Sequence, residues 1–307
     1  MNTGISYLDF YVPKIYLDVE EFSSHRNIDA NKLKKGLGIH KMSFLDVHED
    51  TATMGANALH YLIDKNDIDP QTINRIYLGT ESALDGSKPT ASYIADMVEA
   101  KMGKRVFKHT DVADMTFACV GAVDLLQNAI DFVNAHPDQR AVVIASDFAK
   151  YDLDSLGEYT QGAGAVAMLI EAEARILEIP STFGIGYKSE HDFFKPRRYF
   201  EKSLAAEEYT TDVTLQVYRE EPIFDGQFSN QCYQDRMREA YFDLKQKNDV
   251  KGTLHETWKS LIFHLPYASH GKRIFSEIYK LESDKKLPDD SLAEQYDMDT
   301  LKTLAKS

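Results

Sequence analysis

The stretch RAVVIASDFA at 140–149 constrains the fold more than any other part of the chain. Its apolar residues run without a break from Ala141 to Ala145, and three of them are branched. A strand with one wet face alternates apolar and polar side chains; an unbroken run predicts a strand covered on both faces. Just upstream, CVGAVDLLQNAIDFV (119–133) places apolar side chains at 120, 123, 126, 130 and 133, on one side of a helix. Ala122, Leu125, Ala129 and Phe132 widen that stripe, so the helix is expected to be buried on more than one face. NRIYLGTES (74–82) reads as a second buried strand that runs into a loop. Strand, helix, strand in this order points to a layered α/β architecture.

Further along, GAGAVAMLIEAEARILEIP (162–180) reads as two strands joined by a polar turn at Glu171–Glu173, a hairpin that closes the first half. The segment 197–222 is polar and irregular, with one β-like stretch, VTLQVY. A helix is expected over 230–247, a strand over SLIFHLPY (260–267), and a last helix at about 271–281. The division that follows is a first half over 1–180 and a second over 181–307, with an extra segment near 197–222.

Bulk properties exclude several classes of function. With 43% hydrophobic and 27% charged residues, the composition is that of a globular protein. The apolar runs are much shorter than the roughly 20 residues of a spanning helix, and the first residues lack a basic region followed by a long apolar stretch. A cytoplasmic location is expected, with no membrane partner. The net charge of −14 argues against nucleic acid as a partner. Two cysteines, Cys119 and Cys232, make neither a disulfide framework nor a metal-ligand spacing, so no metal or redox cofactor is expected.

Three residues carry chemistry. Cys119 stands at the predicted start of the buried helix, where free N–H groups and the positive end of the helix dipole favour thiolate, the form that attacks carbonyl carbon. Glu81 follows the strand RIYLGT, at the kind of strand end where ligands and catalytic groups collect in α/β sheets, and could act there as a general base. His264 interrupts the apolar run LIFHLPY, where a neutral imidazole can polarise a carbonyl. Each also has a plain structural reading: a small core cysteine, a solvated loop glutamate, a hydrogen-bonded core histidine.

The surroundings of these residues resemble those of the 3-hydroxy-3-methylglutaryl-CoA synthases. The matching segments are DANKLKKGLGIHKM (29–42), GTESALDGSK (79–88), TFACVGA (116–122), GEYTQGAGAVAML (157–169), HDFFKP (191–196), DGQFSNQCY (225–233) and FHLPYASHGKR (263–273), in that family's order and at about its spacing. The resemblance implies a thiolase-like fold, two duplicated α/β halves in a five-layer αβαβα arrangement, with a homodimer as the assembly. It implies a triad of Glu81, Cys119 and His264 that condenses acetyl-CoA with acetoacetyl-CoA through an acetyl-Cys119 intermediate. CoA thioesters then serve as substrates, with no separate cofactor. Thr160 and Gly162 fall where the family lines its acyl pocket, and Ser229 is a further pocket candidate; Asp192 and Lys195 of HDFFKP are expected to be structural.

This sequence also departs from the family pattern. Where many members carry a lysine five positions after the histidine, Ser269 stands here, followed by Lys272 and Arg273, so Lys272 is the candidate for contact with the CoA nucleotide. Val120 follows the nucleophile in place of an aromatic residue. The segment 197–222 is longer than its counterpart, and no equivalent of the family's closing Gly-Asn strand is found, which predicts a second half incomplete at its C-terminal side. These departures keep two alternatives in view: a synthase that takes acyl-carrier-protein substrates, as in polyketide β-branching, and a non-catalytic thiolase-fold subunit. A ketoacyl-synthase-III-like enzyme fits less well, because it pairs its cysteine with histidine and asparagine.

Overall fold

A computed structural model describes residues 2–103, 105–195, 197–200, 215–218, 221–250, 252–253, 257–271, 274, 276, 279 and 282. The elements in chain order are β1 (Gly4–Tyr11), β2 (Ile15–Asp18), α1 (Val19–Arg26), β3 (Lys41–Phe44), α2 (Thr51–Lys65), β4 (Ile73–Gly79), α3 (Thr90–Met102), β5 (Asp111–Met115), α4 (Gly121–Ala135), β6 (Arg140–Ala149), β7 (Gly162–Glu171), β8 (Leu177–Glu178), β9 (Arg197–Phe200), β10 (Leu215–Tyr218) and α5 (Gly226–Lys247). They fall into two compact units. The first comprises 1–28, 40–149 and 161–181; the second comprises 29–39, 150–160 and 182–307.

The first unit is built on a six-stranded sheet in the order β5-β4-β6-β7-β1-β8. β4 lies between β5 and β6 and runs parallel to both, while β7 and β1 continue the sheet antiparallel. β6 spans 140–149 and explains its own composition. Val142 and Ile144 face a core made with α2 and α3, including Leu59, Leu62, Ile94 and Val98. Ala141 and Val143 face the opposite side, packed with Leu125, Ala129, Ile130 and Val133 of α4. All four β6 residues are wholly buried. Both faces of the strand are dry, so neither needs a polar residue.

Local chemistry sets the helix starts. Asp50 caps α2 by accepting from the Thr53 amide, and Thr53 returns a bond to the Asp50 amide, a reciprocal capping box. α3 begins after Pro89, which has no capping side chain; the Asp114 carboxylate of β5 reaches across to the Thr90 and Ala91 amides instead. α4 is less enclosed than its composition predicts. Leu125, Ala129, Ile130 and Val133 are buried, but Val120 and Val123 are 47% and 53% exposed. The helix therefore has one covered face and leaves part of its apolar stripe open.

The expected hairpin over 162–180 does not form. β8 does not pair with β7; it pairs antiparallel with β1, which lies between them in the sheet. Both edges of β7 are already taken, by β6 and β1, so the chain after Glu171 crosses over β1 to reach the free edge.

In the second unit, β9 and β10 form a two-stranded antiparallel ribbon, which puts part of the β-like VTLQVY stretch in a strand. α5 is the main helix, capped by Asp225, whose carboxylate accepts from the Gln227 and Phe228 amides. It starts four residues before the sequence-based boundary at 230. Gly184 and Gly186 press their backbone onto α5: a Cβ at either would collide with the carbonyl oxygen of Ala240 or Arg236. Tyr241 of α5 packs with Met237, Leu244, Trp258 and Phe263. The strand expected over 260–267 is absent, and these residues form an irregular segment. Pro266 lacks the N–H a strand ladder needs, and Leu265 and Ile262 are exposed. Of the helix expected at about 271–281, the described residues Gly271, Ile274, Ser276 and Tyr279 are helical, and the others lie outside the described residues. Among the described residues no helix is long and apolar enough to cross a membrane.

Candidate active site

The C-terminal ends of β4, β5 and β6 lie side by side, with Gly79 in register with Met115 and with Ala145. Glu81 leaves this edge two residues after β4. Cys119 leaves it in the turn from β5 to α4, immediately before the α4 N-cap residue Val120. A close contact joins the two exits. A Cβ on Gly79 would land on the backbone N and Cα of Ala122 and lie 2.7 Å from its Cβ, and a Cβ on Gly121 would lie 3.0 Å from the Met115 carbonyl oxygen. Strand and helix can approach this far only because both positions are glycine. The sequence candidates Glu81 and Cys119 are thereby brought to one strand edge of one unit.

Cys119 is exposed, which removes the core-packing reading. Its φ is 64°, in the left-handed region. The Val120 amide donates to the Ala118 carbonyl at 2.7 Å, so a three-residue γ-turn closes around Cys119. A γ-turn with positive φ at a non-glycine residue is the rarer, strained hand. It presents the side chain outward from the head of α4, whose N-cap makes no side-chain hydrogen bond. The positive end of the α4 dipole therefore lies near the sulfur and favours negative charge there. The other thiol contrasts: Cys232 sits on α5, where partial burial, and then Asp192 and Glu190, push its pKa up.

Glu81 is half-buried and held by its backbone. Its amide donates to Asp147 Oδ1 at 2.8 Å, and the Thr80 hydroxyl donates to the same oxygen at 2.7 Å. The Ser82 amide donates to Thr80 Oγ at 2.9 Å, and the Thr80 amide to the Met115 carbonyl at 3.2 Å. Asp147 is thus the post to which the Glu81 loop is tied. Burial pushes its pKa up to about 6, partly offset by the hydrogen bond from Thr80, with the nearby charge of Glu81 adding to the rise. Sequence reasoning missed this residue. Its signal was a lone carboxylate ending the apolar run of β6, at a strand end.

A raised carboxylate pKa has a defined sign. The folded state holds its proton from the ordinary value of 3.8 up to about 6, so this group's contribution to stability falls as pH rises through that window. Asp147→Asn removes the titration. Between pH 4 and 7 the unfolding free energy of the variant should gain on wild type by about 2 kcal/mol, read from urea melts at successive pH values. Parallel curves for the two proteins would contradict the assignment.

His264, in the second unit, lies in the irregular segment and is exposed, while desolvation on the side of the ring that faces the protein lowers its pKa. The imidazole is therefore neutral at neutral pH. The Tyr233 hydroxyl donates to the His264 carbonyl at 3.2 Å. Ser229, also in this unit, donates its hydroxyl to Asp192 Oδ1 at 2.6 Å, tying α5 to the HDFFKP segment. Thr160 ends a 3₁₀ turn, Leu156–Thr160, and donates its hydroxyl to the Gly157 carbonyl at 2.9 Å. Gly162 opens β7 opposite Ala149, and a Cβ there would meet only Ser43 Oγ, at 3.9 Å. Lys272 lies outside the described residues. The Ser269 amide donates to the Leu37 carbonyl, fastening the His264 segment to the KKGLG turn. Among the described residues no group of three or more His, Cys, Asp or Glu is arranged to hold a metal ion.

Comparison with known proteins places the chain in a family. The family model described as "Hydroxymethylglutaryl-coenzyme A synthase N terminal" matches residues 1–175. The hydroxymethylglutaryl-CoA synthase of Haloferax volcanii is 36% identical over 270 residues, covering 87% of this chain and 55% of that protein. The Enterococcus faecalis enzyme of the same name is 32% identical over 273 residues, covering 89% and 63%. The chain thus spans a little over half to about three-fifths of the length of these curated relatives. Among solved structures, MvaS in complex with 3-hydroxy-3-methylglutaryl coenzyme A superimposes with a TM-score of 0.81 at 26% identity, covering all of this chain and 68% of that one. The fold is therefore thiolase-like, as the resemblance implied. With the family model covering more than half of its residues, the chain belongs to the hydroxymethylglutaryl-CoA synthase family.

Proposed function

We propose that this chain carries the condensing chemistry of its family, joining acetyl-CoA to acetoacetyl-CoA to give 3-hydroxy-3-methylglutaryl-CoA. The observation that carries the reading is the exposed Cys119 in its strained turn at the head of α4, on the same strand edge as Glu81. The cysteine sulfur attacks the acetyl carbonyl and CoA leaves as its thiol. Glu81 takes a proton from the methyl group of the acetyl-cysteine, and the resulting carbanion equivalent forms a carbon–carbon bond to the ketone of acetoacetyl-CoA. His264, neutral by virtue of its lowered pKa, donates to the developing alkoxide. Water then cleaves the thioester and returns the Cys119 thiol. The division that goes with this reading is a first half over 1–180, with Glu81 and Cys119, and a second over 181–307, with His264. Thr160, Gly162 and Ser229 line or support the acyl pocket. The catalytic form is a homodimer in the cytoplasm, and CoA enters as part of the substrates with no separate cofactor.

Glu81→Gln separates the two half-reactions. It should still accept one acetyl group on Cys119, seen by intact mass, while condensation falls by about 10²–10⁴-fold. Loss of both steps together would reject the base role. A second reading is favoured by Ser269, which stands where many members carry the lysine that approaches the CoA nucleotide: the acyl donor arrives on a carrier protein, and Lys272 contributes less to binding. Comparing acetylation rates from acetyl-CoA and from acetyl-carrier protein distinguishes the donors.

A further inference from the structure

The segment that bears His264 is irregular over 260–269, so side chains add to the Ser269–Leu37 backbone bond in placing it. Those side chains form a closed set. His270 is only 2% exposed, and its ring meets two tyrosines edge-on: Tyr233 at 4.8 Å with an interplanar angle of 81°, and Tyr267 at 4.8 Å with 79°. Perpendicular aromatic rings at this separation attract through their quadrupoles, and the contact fixes ring orientation as well as distance. Tyr233 also lies 6.1 Å from the His264 ring, and its hydroxyl donates to the His264 carbonyl at 3.2 Å. Behind this set the segment folds on itself. The His270 amide donates to the Tyr267 carbonyl, and a Cβ on Gly271 would lie 3.0 Å from Phe263 Cδ2 and 3.1 Å from Leu265 Cδ2.

We propose that Tyr233 and His270 are positioning residues for His264, acting as an aromatic clamp that fastens the 263–271 segment to α5. Tyr233 is the fixed element because it is carried by a 22-residue helix whose cap is satisfied. His270 is the wedge that the segment inserts between Tyr233 and its own Tyr267. The clamp holds the segment at two points, the His264 carbonyl and the ring six residues later. Neither clamp residue touches the reacting atoms. The inference rests on the reading that His264 addresses the acetoacetyl ketone, and it places the effect of the clamp in that half-reaction alone.

The test compares Tyr233→Phe, which keeps the ring and removes the hydroxyl, with His270→Leu, which keeps the bulk and removes the edge-on ring, in the full chain. For both, acetylation of Cys119 by acetyl-CoA should proceed at the wild-type rate. The KM for acetoacetyl-CoA should rise about three- to ten-fold, the size expected for losing one modest hydrogen bond or ring contact. His270→Phe should recover most of the loss, because it restores an edge-on ring. Nitrogen-15 spectra of the His264 imidazole give a readout independent of turnover: its titration midpoint should move up toward the ordinary value as the segment loosens. Equal losses in both half-reactions, or unchanged His264 signals together with an unchanged KM, would overturn the proposal. If wild type fails to acetylate at all, the proposed function falls, and the His264 spectra still decide whether the clamp exists.

Discussion

Cys119→Ala is expected to take up no acetyl group from acetyl-CoA and to lose turnover by on the order of 10⁴-fold or more. The size follows from the chemistry: without the sulfur there is no covalent intermediate, and neither Glu81 nor His264 can supply one. Folding should be nearly untouched, because Cys119 is exposed and its side chain fills no core. Intact mass after brief exposure to acetyl-CoA, together with an unchanged thermal melt, checks both halves of this expectation. A persistent adduct in the variant would move the nucleophile elsewhere, with Cys232 the first place to look. That outcome would also make the strained turn at 119 a structural accident, because its exposure and positive φ would then serve no chemistry.

Gly79→Ala should cost about 3 kcal/mol and slow acetylation as well. The added methyl carbon would meet the backbone N and Cα of Ala122, and backbone at the head of a helix cannot swing away as a side-chain tip can. Relief requires α4 to shift off β4, which moves Cys119 relative to Glu81. The urea midpoint and the acetylation rate should therefore fall together. Gly226→Ala is the matched control, since a Cβ there meets nothing within 4 Å, and it should stay within about 0.5 kcal/mol of wild type. If Gly79→Ala melts like that control, the close approach of strand and helix is not what holds the two exits together.

The parts of the fold that were legible are those where composition has one physical meaning. The apolar run of β6 admits only a strand dry on both faces, and it spans the expected 140–149. The helix after Cys119 was legible for the same reason, although its open face at Val120 and Val123 was not, because periodicity reports which residues are apolar and not what covers them. The hairpin failed because strand pairing is decided by which edges remain free, a property of the whole sheet: with β6 and β1 on either side of β7, β8 had to pair elsewhere. The strand at 260–267 failed because a short apolar run with a proline in it is equally compatible with an irregular segment pinned by its neighbours.

In the candidate site, Cys119, Glu81 and His264 were singled out in the sequence by their places before a helix, after a strand and inside an apolar run, and by the family-like segments around them. Asp147 and Tyr233 were not. Their roles consist of what they tie down, the Glu81 amide and the His264 carbonyl, and such ties exist only once distant segments meet. Asp147 lies 66 positions from Glu81, and Tyr233 lies 31 from His264. His270 was quoted in a motif without drawing attention, since nothing in HGKR marks it as enclosed by two rings.

The two units interleave along the chain, with 29–39 belonging to the second unit although the first unit surrounds that stretch in sequence. This has a consequence for how the protein is made. The Leu37 carbonyl is synthesised early, but the Ser269 amide that binds it follows 232 residues later. At ribosomal speeds of about 5–20 residues per second, the wait is roughly 10–50 s. Throughout that interval the KKGLG turn must emerge, stand aside while the six-stranded sheet forms around it in sequence, and stay competent to be captured. Its two lysines, at 34 and 35, with Lys32 just before them, suit that delay, because a charged segment waiting in water has little tendency to collapse into the wrong core.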